Sequence, residues 1–190
     1  MWITEEKLLQ WSTQESTDLS SNAYHFIRDE IEETKFYKDN SSSTEIYLQG
    51  SYANATNIRR DADVDIVLQY NQTFYYDDEK LSDYQRKKRQ EFFSPATLSF
   101  VDYKEKIYNQ LIYKLRGLSR FKEMEYGAKS LKITLQNPSI KVDVVPCFQQ
   151  RDYYTFSEAA PYSSNSYHEG ISLLDTETND RIINYRKLYR

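Results

Sequence analysis

The chain has 190 residues, 39% hydrophobic and 28% charged, which fits one ordinary globular domain with a real core. Its net charge of −4 argues against long nucleic acid as the main partner, because neutralising phosphates favours a basic surface. No run approaches the roughly 20 apolar residues of a membrane span, the N-terminus lacks the basic start and apolar block of a signal peptide, and the lone Cys147 excludes an internal disulfide or a cysteine-rich zinc site. A cytoplasmic protein is therefore expected.

The first forty residues read as helix. Leu8, Leu9 and Trp11, then Ala23, Phe26, Ile27 and Ile31, recur at helical spacing. Residues 39–43 are a polar loop. Residues 45–49 and 62–70 read as strands, and the polar, tyrosine-rich stretch 71–93 as a loop with a partial helix. Pro95 suits the first turn of a helix that runs to about Leu115, with Val101, Ile107, Leu111, Ile112 and Leu115 on its apolar stripe and Gly117 as its stop. Residues 130–135 and 140–145 alternate in polarity around Asn137-Pro138-Ser139, which predicts an antiparallel hairpin. Beyond Pro146 the chain reads as loop until short strands near 170–174 and 181–185. No internal repeat is visible. The order predicts an α+β fold with a mixed, mainly antiparallel sheet packed by helices on one side.

The chemistry concentrates in Gly50-Ser51 and in Asp63-Val64-Asp65. Successive strand side chains alternate between faces, so Asp63 and Asp65 converge while Val64 and Ile66 enter the core. Two carboxylates held that close repel unless a divalent cation lies between them. A Gly-Ser turn offers backbone N–H groups and a hydroxyl to a phosphate. Gly50 is one of four glycines in the chain, which marks a backbone position that needs it. A third carboxylate, Asp143, interrupts the apolar run Val142 to Val145 and so requires a partner. Either a lysine such as Lys132 pairs with it across the hairpin, or it joins Asp63 and Asp65. The upstream motifs favour the second, and three carboxylates would complete a two-ion site.

Other residues carry less. Lys129 and Lys132 can reach a triphosphate from the hairpin, though charge pairing on the sheet explains them as well. Arg59 and Arg60 suit phosphate contacts and solvated turns equally. Asp61 reads as a strand-entry residue. Lys87-Lys88-Arg89 reads as a solvated helix face. His25 and His168 have no ligand companion at close spacing. The eighteen tyrosines read mainly as half-buried packing residues, with some in 149–168 available to stack on bases. Asn165 and Ser166 lie where a base-reading loop would fall.

Leu48-Gln49-Gly50-Ser51-Tyr52, Thr56-x-Ile58-Arg59, Asp63-Val64-Asp65-Ile66-Val67 and Val142-Asp143-Val144-Val145-Pro146-Cys147 together resemble the nucleotidyltransferase superfamily with a polymerase-β-type palm. Within it they look most like the cGAS/DncV-like nucleotidyltransferase (CD-NTase) family, and the likeness covers roughly residues 45–148. The resemblance implies an N-terminal helix over 1–38, a motif-bearing palm over 45–148 and a tail over 149–190. Family members usually continue into a helical C-terminal lobe, which these 190 residues are expected to lack. The resemblance further implies that Gly50 and Ser51 hold the donor nucleotide's phosphates; of the hairpin lysines, Lys132 is the candidate to join them at the phosphates. Asp63, Asp65 and Asp143 would bind two Mg²⁺ (or Mn²⁺) ions and carry catalysis. The implied activity is the joining of nucleoside triphosphates into a cyclic di- or trinucleotide messenger for antiphage signalling, with room for a regulatory protein partner. Transfer of a nucleotide to a protein, tRNA or small-molecule acceptor, or a silent nucleotide-binding module, are the alternatives.

Overall fold

A computed structural model describes residues 5–49 and 64–185, with side-chain surroundings from residue 19 onward. Helix α1 (Glu5–Glu32) is followed by the short α2 (Lys35–Asn40). Thr34 separates them: its hydroxyl donates to the Ile31 carbonyl at 2.7 Å and accepts from the Tyr37 N–H at 3.3 Å, closing one helix and capping the next. Next come strands β1 (Thr44–Gln49) and β2 (Val64–Asp77), then helices α3 (Asp83–Phe92) and α4 (Phe100–Leu115). Strands β3 (Phe121–Tyr126), β4 (Leu131–Leu135), β5 (Ile140–Tyr153), β6 (Tyr167–Leu174) and β7 (Arg181–Tyr185) complete the described chain.

The strands form one mixed sheet in the order β1-β2-β5-β4-β3, with β6 and then β7 added along the C-terminal half of β5. Among the described strands, β2 and β5 are the one parallel pair; the other ladders are antiparallel. The α+β expectation therefore holds. One face of the sheet is apolar, with Ile66, Leu68, Val144 and Phe148 buried, and the buried residues of α4 join them in one core with Ala23, Ile27 and Ile31 of α1. Tyr103 stacks on Phe148 with ring centroids 5.2 Å apart.

Several elements differ from expectation. Strand β2 extends to Asp77, and the Tyr70/Phe74 register shift keeps it on β5 after residues 71–73 bulge out. The 83–92 stretch is a full helix, fixed by a capping box between Ser82 and Gln85. α4 starts at Phe100 with Ser99 as its cap, not at Pro95, and Val101 is exposed. Gly117 does end the helix region, at φ 91°. β3 carries only one buried residue, Met124, so its alternation is faint in the sequence. Pro146 lies inside β5 rather than ending it. β4 pairs with β5 up to Val144 and β6 from Phe148 onward, so no strand on that edge requires a Pro146 N–H.

Candidate active site

The parallel pair sets Asp65 directly opposite Asp143. Register partners share a face of the sheet, and neighbouring strands lie about 4.8 Å apart, so the two carboxylates stand side by side. The row continues on both sides, with Gln49 of β1 opposite Asp65 and Lys132 of β4 opposite Asp143. Both aspartates are half-buried, whereas their neighbours Val64, Ile66, Val142 and Val144 are fully buried on the other face. The alternation of the two strands thus sends charge to one face and core to the other. Asp63, Gly50 and Ser51, and likewise Asp61, Arg59 and Arg60, lie outside the described residues.

Both sequence readings of Asp143 meet in this geometry. Lys132 is its cross-strand neighbour on β4, and Asp65 is its neighbour on β2. The Lys132 side chain is exposed and runs past Gly127, where an added Cβ would come within 3.2 Å of Lys132 Cε and 3.0 Å of the Ser130 carbonyl oxygen. The close approach explains a glycine at that turn.

Sequence reasoning missed Ser130 and Lys104. The buried Ser130 hydroxyl donates to Asp143 Oδ2 at 3.2 Å. Ser130 ends the turn 127–130, and that turn is gripped from below by Lys104 of α4. The Lys104 ammonium donates to the carbonyls of Gly127 (2.5 Å) and Ala128 (2.7 Å) and sits 4.4 Å from the centroid of the Tyr126 ring. The lysine residue is 0% exposed. Burial pushes its pKa down, opposed by the charges of Asp175 and Glu177. A signal existed: Lys104 falls on the same helix stripe as Phe100, Tyr103, Ile107 and Leu111.

The turn is also fastened from above. The Thr176 N–H and hydroxyl both donate to the Ala128 carbonyl, at 3.1 and 3.0 Å. Lys129 Nζ lies 3.5 Å from Asp175 Oδ2, so charge pairing accounts for Lys129. N–H groups of Thr178 and Glu177 hold the Asp175 carboxyl below its usual range, with Lys129 adding to the effect.

Other expected residues scatter. His25 and His168 are exposed, and no cluster of three metal-ligating side chains occurs among the described residues. Ser166 is buried and Asn165 exposed in a short 3-10 turn before β6. Arg89 departs from the solvated-face reading: it is 2% exposed, bonds Asp78 at 2.7 Å and lies 3.5 Å from the Tyr76 ring centroid.

Sheet order and paired carboxylates define a class: the palm of a polymerase-β-like nucleotidyltransferase. Comparison with known proteins agrees. The nucleotidyltransferase domain model matches residues 31–165. A Staphylococcus haemolyticus protein named cyclic nucleotide synthase CdnE01 is 36% identical over 98% of this chain and 60% of its own length. The cyclic UMP-AMP synthase of Rhodothermus marinus is 29% identical over 100% of this chain and 59% of its own. The solved Rhodothermus marinus CdnE c-UMP-AMP synthase with Apcpp and Upnpp superposes with a TM-score of 0.65 at 28% identity, covering 98% of this chain and 58% of that one. The chain belongs to the nucleotidyltransferase domain family, and its relatives are synthases of the CD-NTase type. It spans about three fifths of the length of these relatives.

Proposed function

We propose that this chain is the catalytic palm of a synthase that joins nucleoside triphosphates into a cyclic di- or trinucleotide and releases pyrophosphate. The observation that carries the reading is the Asp65–Asp143 register across β2 and β5 in a chain 36% identical to a cyclic nucleotide synthase. A half-buried pair of hard oxygen ligands fits Mg²⁺ or Mn²⁺, which prefer carboxylates. Asp65 and Asp143, with Asp63, would hold two such ions. Bound there, the metal supplies charge neutralisation at the triphosphate and a lowered pKa for the attacking hydroxyl. Asp143 is the carboxylate that helps accept that hydroxyl's proton. Gly50 and Ser51 cradle the donor phosphates, and Lys132, exposed in the row between Asp143 of β5 and Glu125 of β3, adds a cation for them. The rest of the catalysis is positioning. The product serves as a messenger in antiphage signalling in the cytoplasm, and a regulatory protein partner controls synthesis. No helix among the described residues is long and apolar enough to cross a membrane.

The test is incubation of the natural-length protein with Mn²⁺ or Mg²⁺ and α-labelled nucleoside triphosphates, singly and mixed, followed by phosphatase treatment and chromatography. A phosphatase-resistant small product, absent from an Asp63→Ala/Asp65→Ala variant, is expected. Label transferred to a macromolecule instead would replace this reading with nucleotidyl transfer to another acceptor.

A further inference from the structure

Between α4 and the carboxylate row lies a chain of contacts. Lys104 emerges from the buried stripe of α4 and donates to two successive carbonyls, those of Gly127 and Ala128. The same turn ends at Ser130, whose hydroxyl reaches Asp143 Oδ2. Two successive carbonyls turned toward one ammonium are fixed in direction, and with them the backbone that carries Ser130. Gly127 lets the turn close tightly, because a Cβ there would press to 3.0 Å from the Ser130 carbonyl oxygen. Thr176 holds the Ala128 carbonyl from the other side. A solvated lysine would serve solubility alone. Placing this one at 0% exposure strips its ammonium of water, a penalty that the two carbonyls and the Tyr126 ring offset.

We propose that Lys104 is a positioning residue for the reaction: it locks the 127–130 turn so that Ser130 orients the Asp143 carboxylate for its divalent ion. The inference rests on the reading of Asp143 as a metal-binding carboxylate. Lys104 touches neither substrate nor metal; its effect passes through Ser130. Partners that orient a ligating carboxylate typically change metal affinity by about 10–100-fold when removed.

Mn²⁺ binding, followed in the natural-length protein by the electron paramagnetic resonance signal of free Mn²⁺, reads this without turnover. Wild type is expected to bind, and Asp143→Asn to lose binding; failure of either would remove the site reading and this inference together. With both in place, Ser130→Ala and Lys104→Met are each expected to weaken Mn²⁺ binding by about 10–100-fold, and Ser130→Thr to restore most of it. The double variant is expected to bind no more weakly than the weaker single variant, because both changes break one chain of contacts. Singles with wild-type Mn²⁺ affinity would overturn the inference and leave the carboxylate site standing. Additive losses would overturn the route through Ser130. A general packing role would lower the melting temperature of Lys104→Met without this non-additivity. Should Lys104→Met fail to fold, Ser130→Ala and Gly127→Ala, which disturb the same turn from its two ends, are each expected to show the same loss, and wild-type affinity in both would refute the proposal.

Discussion

Tyr103 donates its hydroxyl to the Leu68 carbonyl at 3.0 Å, tying α4 to β2 three residues beyond Asp65. Both residues are fully buried. Tyr103→Phe keeps the ring that stacks on Phe148 and deletes only the donor. A loss of about 1–2 kcal/mol is expected in urea denaturation, the scale for removing one buried hydrogen bond. An unchanged midpoint would mean that the bond adds nothing to stability.

Removing a carboxylate separates chemistry from fold. Asp65→Asn keeps the size of the side chain and relieves like-charge repulsion with Asp143. Turnover should fall by on the order of 10²–10³-fold or more. The metal-free variant should melt at or above the wild-type temperature. Added Mn²⁺ should raise the wild-type melting temperature more than that of the variant. A thermal-shift series with and without Mn²⁺ checks all three statements once paired with the product assay.

Arg89 and Asp78 form a buried ion pair whose side chains are 3% and 19% exposed. Asp78→Ala strands the guanidinium in a cluster with Tyr76 and Tyr153, and should cost about 3–5 kcal/mol. Asp78→Ala combined with Arg89→Met should recover much of that loss, because no uncompensated charge remains. Denaturant midpoints of the two single variants and the double variant decide it.

Tyrosines set the alkaline limit. Burial pushes Tyr103 well above its ordinary value of 10.0, and burial also raises Tyr153. Burial first, then the bond and charge of Asp152, push Tyr185 up to about 12. In each case the folded state resists ionisation that the unfolded chain allows from 10.0 upward. Their contribution to stability is thus complete below that pH and is lost as pH rises toward and past about 12. Lys104, with its pKa lowered by burial, acts in the opposite sense. Circular dichroism against pH should show unfolding that accompanies the last, high-pH part of the tyrosinate absorbance rise, the part that Tyr103, Tyr153 and Tyr185 supply. A tyrosinate rise that reaches its final amplitude while the fold is still intact would contradict this.

How much of this was legible in the sequence depends on local contrast. Asp65 and Asp143 stood out because each interrupts an apolar strand, and the sheet then placed them together. The hairpin of β4 and β5 was visible from alternation and its Asn-Pro turn. Pro146 misled, because whether a strand tolerates proline depends on where its neighbours stop pairing, a fact no local window contains. Arg89 misled for a related reason: a basic triplet on an exposed helix gives no hint that Asp78 and Tyr76 wait beneath one member. Ser130 was invisible since its importance comes from one tertiary bond. Lys104 left a trace, a charge on a buried helix stripe, that periodicity alone passes over.

The parallel pairing of β2 with β5 has a consequence for synthesis on the ribosome. Two helices and two strands must be made between the halves of the carboxylate pair. Such a non-local pairing closes slowly and late, after local hairpins and helices have formed. A nascent chain stalled before Ile140 has emerged should therefore show helical structure yet no Mn²⁺ affinity, and affinity should appear only once β5 is free to dock. The carboxylate pair is in this way withheld from a growing chain until its palm is nearly whole, so a truncated translation product carries no half-built row.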